Sequence, residues 1–511
     1  MKRAFVLVLL FLSLTAAAKT LRYASAYEPG TMDPHAVGSA YATRVLNMVY
    51  DTLVARDEDF RVAPGLALSW ASQPTGWRLK LRPGVKFHDG TAFSADDVVF
   101  SIERALSPTS QVRFNLPNVT GAKKVDALTV DILTSGPTPV LPLALTNLRI
   151  MSRAWSVAHK VEKPQDYAAK QDTFAARNAM GTGPYKLKEW VPDVRTVLVQ
   201  NKDYWGPHGN VDEAHYLVVS SAATRLAGLV SGEIDFVIDP ALQDVDRLER
   251  TPGVKVLKGP SRGTQFLGFD HARETLLEGG KNPFKDRRVR EAVRSAIDYE
   301  ALNTKIMRKL GTSGRSLYTP AVDGFDPRFG KPAAYDPERS RALLKEAGYP
   351  AGFTVTLTCS ASQPADALCQ GVSAMLARVG IKVNYQAIPF NNLTPKVTSR
   401  EVTFYALGWT PSTDVEGVLV PLVHTPNTAG DGDYNAGRYS NARADGLIDR
   451  ARVELDPAKR TAMLTEAMAV ADEDVAYIIL THRSVYWAMR DKVRVKTRPN
   501  DLLDLRYLNL D

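Results

Sequence analysis

The stretch with the clearest potential for ligand chemistry is residues 405–414, YALGWTPSTD. Its apolar start predicts a buried strand that ends at Trp409. The indole ring of Trp409 could cover an apolar part of a ligand. Thr410, Ser412 and Asp414, in the polar loop that follows, could supply hydrogen bonds. The alternative is that Trp409 only packs a structural junction, but an aromatic ring beside polar strand-end residues is typical of pockets and favours a ligand-binding wall.

Five further residues are candidates for the same pocket. Arg149 and Arg438 could each bind a carboxylate through paired N–H groups, or each could form a surface ion pair of little energetic value. Met32 and His35 lie in a loop broken by Pro and Gly, and Tyr41 follows just beyond. Met32 offers a soft apolar contact. His35 could meet a metal, but the histidines show no HxH or HxxxH pair, so we expect no metal site.

The sequence gives little support to an enzyme. It contains no HExxH motif and no convincing triad spacing, and its one GxSxG match, GPSRG at residues 259–263, is too short a pattern to indicate a nucleophile by itself. Acidic residues are numerous, but a two-carboxylate mechanism needs a defined pair, and the sequence alone does not show which acids lie together. We therefore expect no catalytic residue and no cofactor, and an exported hydrolase is the less favoured alternative.

The elements that must position these side chains are clearest in residues 53–106. Apolar and polar residues alternate over 79–82 and again over 85–88, which is typical of half-buried strands. The dipeptide DG at 89–90 predicts a tight turn. Ser94 can cap the helix that follows. Two aspartates fall in the first turn of that helix, where the helix dipole favours them.

This region resembles the family 5 extracellular solute-binding proteins of ABC importers. The similar segments are LALSW, LRPGVKFHDG and FSADDVVFS within residues 53–106, GTGPYKLKEW at 181–190 and NKDYWG at 201–206. The family includes binding proteins for dipeptides, oligopeptides, nickel chelates and glutathione. The resemblance implies an α/β fold of the periplasmic binding protein type II kind (cluster C), a two-lobed clamp with an extra inserted α/β domain.

The resemblance also implies how the chain divides into domains. We expect a discontinuous first lobe from residues 19–56, 181–262 and 481–511, an inserted domain from residues 57–180, and a second lobe from residues 263–480. Ligands of such clamps bind in the crevice between the lobes, near the carboxyl ends of strands.

The function implied by the resemblance is the periplasmic binding component of an ABC importer. Such a protein captures a small peptide or peptide-like solute and delivers it to two membrane permease subunits that work with ATPases. Peptide-binding relatives place an aspartate where this chain has Ser412, and an arginine in the region that here reads CSASQPADALC, residues 359–369. These departures leave open a non-peptide solute, such as a metal chelate, an opine-like compound or another polar organic compound.

The two candidate arginines also carry a resemblance. Arg438 lies in DYNAGRYSN, residues 433–441, which is similar to a subgroup with glutathione-binding-like members. Arg149 lies in a segment similar to one in which nickel-chelate binders carry a carboxylate-binding arginine. The resemblance therefore implies that either arginine could replace the missing carboxylate-binding one.

The N-terminus predicts export. Three residues, MKR, form a basic start, and residues 4–14 form an apolar run too short to span a bilayer. We expect a signal peptide over residues 1–18, a periplasmic mature protein, and no lipid attachment, because no cysteine follows the apolar run. The formal charge of +8 is scattered along the chain, so we expect no nucleic-acid partner. We expect a monomer.

Two cysteines, Cys359 and Cys369, are the only ones in the chain. Export permits a disulfide between them, and two free buried thiols are the alternative. Several relatives carry a cysteine pair in the corresponding strand–helix connection, and this resemblance favours the bond.

Overall fold

The computed structural model describes residues 18–428 and 430–511. The expected signal peptide, apart from Ala18, lies outside the described residues. Among the helices of the described part, none combines the length and the apolar character needed to cross a membrane.

One mixed sheet of eleven strands runs through the molecule. Its strands, in spatial order, are β15 (Ile381–Ile388), β14 (Phe353–Ser360), β16 (Phe404–Trp409), β12 (Val254–Phe269), β17 (Tyr477–Arg490), β11 (Phe236–Val237), β1 (Thr20–Ser25), β10 (Glu213–Val218), β9 (Arg195–Gln200) and β8 (Tyr185–Val191), and β13 (Gly311–Thr312) pairs with β17.

The two long antiparallel strands, β12 and β17, belong to both halves of this sheet. The sequence of β17, YIILTHRSVYWAMR, is rich in β-branched and aromatic residues, which favour a strand. Near one end of the pair, β17 joins β11 and the strands of the first lobe. Near the other end, β12 pairs with β16 of the second lobe. Between Pro260 and Thr264 the register of the pair shifts, because three residues of β12 lie opposite one residue of β17.

A second sheet belongs to the inserted domain. It is antiparallel, with the order β4 (Ala67–Gln73), β5 (Gly76–Leu81), β7 (Thr129–Thr134) and β6 (Val119–Asp126). The small two-stranded sheets are β2 (Val54–Arg56) with β3 (Val62–Pro64), and β18 (Val493–Arg494) with β19 (Asn509–Leu510).

The predicted alternation is correct, but only its first half forms a strand. Residues 79–81 lie in β5. Val85 and Phe87 are buried as the alternation predicts, yet this segment forms only an isolated bridge, between Lys86 and Ala92. The tight turn at Gly90, with φ of 89°, returns the chain at once, so no neighbouring strand extends alongside.

The helices cover the outer faces of the sheets. They are α1 (Ala40–Val49), α2 (Ala95–Ala105), α3 (Leu141–Ala144), α4 (Arg153–Ala158), α5 (Phe174–Arg177), α6 (Ala222–Ser231), α7 (Val245–Leu248), α8 (Arg287–Ser295), α9 (Tyr299–Ala301), α10 (Pro337–Glu346), α11 (Ala365–Ala377), α12 (Phe390–Thr398), α13 (Glu416–Leu422), α14 (Ala442–Ala451) and α15 (Pro457–Glu473). Ser94 caps α2 as predicted, and Asp97 completes a capping box by accepting the Ser94 N–H at 2.9 Å.

The apolar cores follow the lobes. The first lobe has one core between its sheet and α1, and a smaller one on the other sheet face. The second lobe has a core on each face of its part of the sheet, and the inserted domain has its own. Met151, Trp155 and Ala175, from the segment that we assign to the inserted domain, pack into the core of the first lobe.

Cys359 lies in β14 and Cys369 lies in α11. In the structure their sulfurs are bonded, and their Cα atoms lie 6.7 Å apart. The bond therefore ties the end of a second-lobe strand to the helix that follows it.

Candidate functional site

A cavity of about 820 Å³ lies between the lobes. One wall comes from α1 and the inserted domain, and the opposite wall comes from the loop after β16 and from α13. Residues 498–506, near the C-terminus, close a third side. The volume is within the range of pockets for small organic ligands.

The wall of the second lobe is built around Trp409. The Trp409 Nε1–H donates a hydrogen bond of 2.9 Å to the Gly417 carbonyl, so the first turn of α13 fixes the indole. The Tyr434 ring packs edge-on against it, with a centroid distance of 4.9 Å. Both rings line the cavity and together form an aromatic surface with polar edges.

Thr410 and Ser412 extend this wall. The Thr410 hydroxyl accepts a hydrogen bond from Arg483, which lies in β17. The Ser412 carbonyl accepts a hydrogen bond of 3.1 Å from the Asn147 side chain, which belongs to the inserted domain. This contact joins the two walls of the cavity directly.

Arg149 lies on the opposite wall and is 94% buried, with a relative exposure of 6%. Its Nη2–H donates to the Asn47 side chain at 2.7 Å, while its Nε has no hydrogen-bond partner among the described residues. Burial lowers the pKa of Arg149 to about 10, so the group stays cationic at neutral pH. No described acid forms a salt bridge with it. The structure thus brings together Arg149, Trp409, Thr410 and Ser412.

His35 and Met32 lie behind this wall. The His35 Nε2 is 2.8 Å from the Arg149 carbonyl and can donate a hydrogen bond to it. Burial, helped by the charge of Arg104, lowers the pKa of His35 to about 3, so the ring is neutral. Met32 is fully buried in the core of the first lobe. His35 therefore positions the Arg149 main chain, and neither side chain lines the cavity.

The loop that carries Met32 and His35 is anchored by a buried ion pair. The Arg104 Nη1 and Nη2 groups donate hydrogen bonds of 2.7 and 2.6 Å to the two carboxylate oxygens of Asp33. Both side chains are fully buried. Burial opposes the charge of Asp33, but the guanidinium of Arg104 outweighs it and lowers the pKa of Asp33. The pair joins α2 to the loop on which Arg149 depends.

Three other predicted residues lie away from this cavity. Tyr41 stacks on Tyr27 at 4.0 Å and is partly exposed. Asp414 is held by Arg460, which also binds Glu416 at 2.6 Å, and it faces a smaller cavity of about 370 Å³. Arg438 is exposed on a turn with φ of 54°.

The charges on the cavity wall are unbalanced. Six arginines and four acids line the described part of it. Three of the acids are engaged: Asp51 accepts from Trp205 at 2.9 Å, Glu416 from Arg460 and Asp504 from Arg506 at 2.7 Å. The fourth, Asp433, is exposed and has no salt bridge with a described residue.

Sequence reasoning missed several lining residues. Tyr434 and Asp433 line the cavity and lie in the same segment as Arg438, four and five positions before it. Arg262 lies in β12 between Gly259 and Gly263, and a strand interrupted by glycine was a signal for a bulge near a site.

These features are those of a clamp that holds a solute between two lobes, the architecture of the extracellular solute-binding proteins. The family model described as bacterial extracellular solute-binding proteins, family 5 Middle, matches residues 61–430. The chain therefore belongs to this family, as its sequence predicts.

Similar proteins span almost the whole chain. The glutathione-binding protein GsiB of Escherichia coli K12 is 27% identical over 483 residues, covering 92% of this chain and 90% of that protein. The dipeptide-binding protein of the same strain is 26% identical over 523 residues, covering 96% of this chain and 94% of that protein.

The solved structure of HbpA2 from Haemophilus parasuis has a TM-score of 0.82 at 23% identity, covering 96% of this chain and 100% of that one. The periplasmic binding protein DppA from Helicobacter pylori, in complex with the peptide STSA, has a TM-score of 0.78 at 24% identity, covering 96% and 98%. The predicted α/β clamp is confirmed.

Proposed function

We propose that the protein captures a small, carboxylate-bearing peptide or peptide-like solute in the cavity between its lobes and delivers it to the permease of an ABC importer. The observation that carries this proposal is Arg149, a buried cation that faces the cavity and has no described acidic partner. A carboxylate can accept two parallel N–H bonds from a guanidinium, which is selective in geometry as well as charge.

The opposite wall supplies the rest of the contact surface. Trp409 and Tyr434 offer flat apolar faces for a side chain of the solute. Thr410 and Ser412 offer polar atoms for its main-chain groups. Asp433 is the acid on the described wall that is available to an ammonium group. The placement of a carboxylate on one wall and an ammonium on the other would let one solute hold both walls together.

The names of two relatives support a peptide-like solute. GsiB is called a glutathione-binding protein, and the second relative from Escherichia coli K12 is called a dipeptide-binding protein. On this proposal the chain works after export, with its signal peptide removed, as a periplasmic monomer without a lipid anchor. It docks on a permease of two membrane subunits with their ATPases and makes no covalent change to the solute.

The test uses the mature chain, residues 19–511. Solutes released by denaturing the freshly purified protein would be identified by mass spectrometry. The refolded protein would then be titrated by calorimetry with glutathione, dialanine and trialanine. We expect saturable binding of at least one of these, a concentration-dependent rise of the melting temperature, and recovery of the probe unchanged.

Two results would overturn the proposal. One is the absence of binding to all three probes together with the absence of any co-purifying solute that carries a carboxylate. The other is steady consumption of a probe by the purified chain, which would show an enzyme instead of a binding protein.

A further inference from the structure

Three arginines surround one phenyl ring at the edge of the cavity. The guanidinium carbons of Arg56, Arg262 and Arg498 lie 4.6, 5.6 and 5.5 Å from the centroid of Phe60. All four residues line the cavity. We call them the three-arginine cluster. Three cations at one ring repel one another, so their approach needs a compensating interaction.

The described acids near the cluster compensate only part of this charge. Arg56 is 3.4 Å from Asp323, whose side chain is 60% exposed. Arg498 is 3.7 Å from Asp504, but Asp504 is held more closely by Arg506, at 2.7 Å. The Arg498 guanidinium also donates hydrogen bonds to two main-chain carbonyls, at 2.8 and 3.4 Å, and lies 5.7 Å from the centroid of the Tyr507 ring.

Arg262 is the least satisfied member of the cluster. Its relative exposure is 2%, and its Nε and Nη2 have no hydrogen-bond partner among the described residues. Burial lowers the pKa of Arg262 to about 10, and the neighbouring Arg56 acts in the same direction. A buried charge without a partner is costly, so a position that keeps one is a candidate for binding.

The fold directs Arg262 to this place. Arg262 lies in the register shift of β12, between Pro260 and Thr264. Its main-chain N–H leaves the ladder and donates to the Pro499 carbonyl at 3.0 Å. A bulge of this kind turns a side chain away from its regular alternation and is common beside functional sites.

Phe60 is also held in an unusual backbone conformation. Its φ is 64°, which is uncommon for an aromatic residue. The turn is fixed by Asp57, which accepts the Arg61 N–H at 2.8 Å, and by Arg56, which donates to the Phe60 carbonyl at 2.9 Å. Backbone strain of this kind is found where a side chain must be presented to a ligand.

We propose that the three-arginine cluster is a second anion subsite, distinct from Arg149, and that the preferred solute carries at least two acidic groups. The inference rests on the proposed function, because it assigns the solute class of the same cavity. One carboxylate would bind Arg149 and the other would bind Arg262 with its neighbours. An acidic short peptide or a dicarboxylate has this chemistry.

The test compares two peptides that differ only in charge, Ala-Ala-Glu and Ala-Ala-Gln, with glutarate as a dicarboxylate that is not a peptide. We expect calorimetry of the mature chain to show binding of Ala-Ala-Glu at least about tenfold tighter than Ala-Ala-Gln, since charge-assisted bonds are the stronger ones. Arg262→Gln should reduce this preference to about twofold or less while the affinity for Ala-Ala-Gln is kept.

Two further variants control for folding. Arg438→Gln removes an exposed arginine outside the cavity and should keep the full preference. Arg262→Lys keeps the charge without the planar fork and should keep part of it. Arg262→Gln should melt no lower than the wild type, because the substitution removes an unpaired buried charge.

The outcomes separate the subsite from the proposed function. Equal affinity for the two peptides, or a preference that survives Arg262→Gln, would overturn the subsite and leave a peptide-binding clamp. Binding of glutarate alone, lost in Arg262→Gln, would support the subsite and remove peptides as solutes. Failure of all three probes to bind would count against the subsite, while the proposed function would still be judged by its own probes and by the co-purifying solute.

Discussion

Two buried arginines, Arg104 and Arg149, show how differently one side chain can be used in the same protein. Arg104 lies at the junction of the first lobe and the inserted domain, where Asp33 matches its charge and geometry with two hydrogen bonds. Arg149 lies on the cavity wall, where an amide of Asn47 is its described side-chain partner. The first cation is satisfied within the chain, whereas the second has no described acidic partner and, on the proposed function, binds a carboxylate of the solute.

Burial alone therefore does not identify a binding residue. Both arginines are buried, and both are connected to the loop of residues 28–35, Arg104 through Asp33 and Arg149 through His35. They differ because Arg104 has an acidic partner and Arg149 has none among the described residues. A paired buried charge holds elements together, whereas an unpaired buried charge lowers stability, so one that faces a cavity is a candidate for ligand binding.

The largest effect should come from Arg104→Met. The variant leaves the Asp33 carboxylate buried without its partner, so we expect a loss of about 3–5 kcal/mol in the free energy of unfolding, measured by urea denaturation. The double variant Asp33→Asn with Arg104→Met leaves no isolated charge and should recover part of the loss. A loss below about 1 kcal/mol in the single variant would contradict the structural role of the pair.

Arg149→Met should weaken ligand binding without lowering stability, the reverse of what we expect for Arg104→Met. Removing the cation should weaken binding of a carboxylate-bearing probe by about 2–5 kcal/mol in calorimetry. The melting temperature of the empty protein should stay the same or rise, because an unpaired buried charge is lost. Destabilisation as large as that of Arg104→Met would remove the distinction between the two arginines.

The stability of the protein should depend on pH through three buried histidines. Burial lowers the pKa of His35 and His271 to about 3 and of His88 to about 4, from an ordinary value of 6.5. Between these values the unfolded chain binds more protons than the folded one, so stability should fall as the pH is lowered from about 6.5 towards 4.

Urea denaturation at several pH values tests this dependence. His35→Gln should flatten the slope, because one of the buried rings no longer gains a proton on unfolding. His215→Gln, at a partly exposed histidine bonded to Glu213, is the matched control. Equal flattening in both variants would contradict the assignment of the slope to the buried His35.

The smallest effect is expected for Arg438→Gln. Arg438 is exposed and outside the cavity, so the free energy of unfolding should change by less than about 0.5 kcal/mol. Calorimetric affinity for the probe used with Arg149→Met should be unchanged. A tenfold weakening would show that Arg438 reaches the solute, as its resemblance to the glutathione-binding-like subgroup implies.

Local patterns predicted individual elements, whereas the two-lobed fold was implied by the family resemblance. The alternation at residues 79–82 and the cap at Ser94 are short-range signals, and both appear in the structure as β5 and the start of α2. The segment at 85–88 shows the limit of such signals. Its alternation predicts which side chains are buried, but a strand also needs a neighbour, and a tight turn removed it.

The site was predictable only in part. Trp409 follows directly from an apolar strand that ends in a polar loop, so its place on the wall could be inferred. The role that we propose for Arg262 depends on Phe60, about two hundred positions away, and on a bulge in the pairing of β12 with β17. The pairing of Asp414 with Arg460 also joins distant positions. An unpaired charge is defined by absent neighbours, and the order of residues in a chain does not show them.

The register shift at Arg262 falls in the strands that both lobes share. In a hinged body the axis of rotation moves least, so the guanidinium of Arg262 should keep nearly the same surroundings whether the lobes are apart or together. Arg149 and Trp409 lie on facing walls, so the same rotation changes the distance between them most. On the proposed function, both can contact one solute only after the lobes have closed. We therefore expect an incoming anion to be tethered first at the axis and enclosed afterwards, so that the order of contacts is set by geometry.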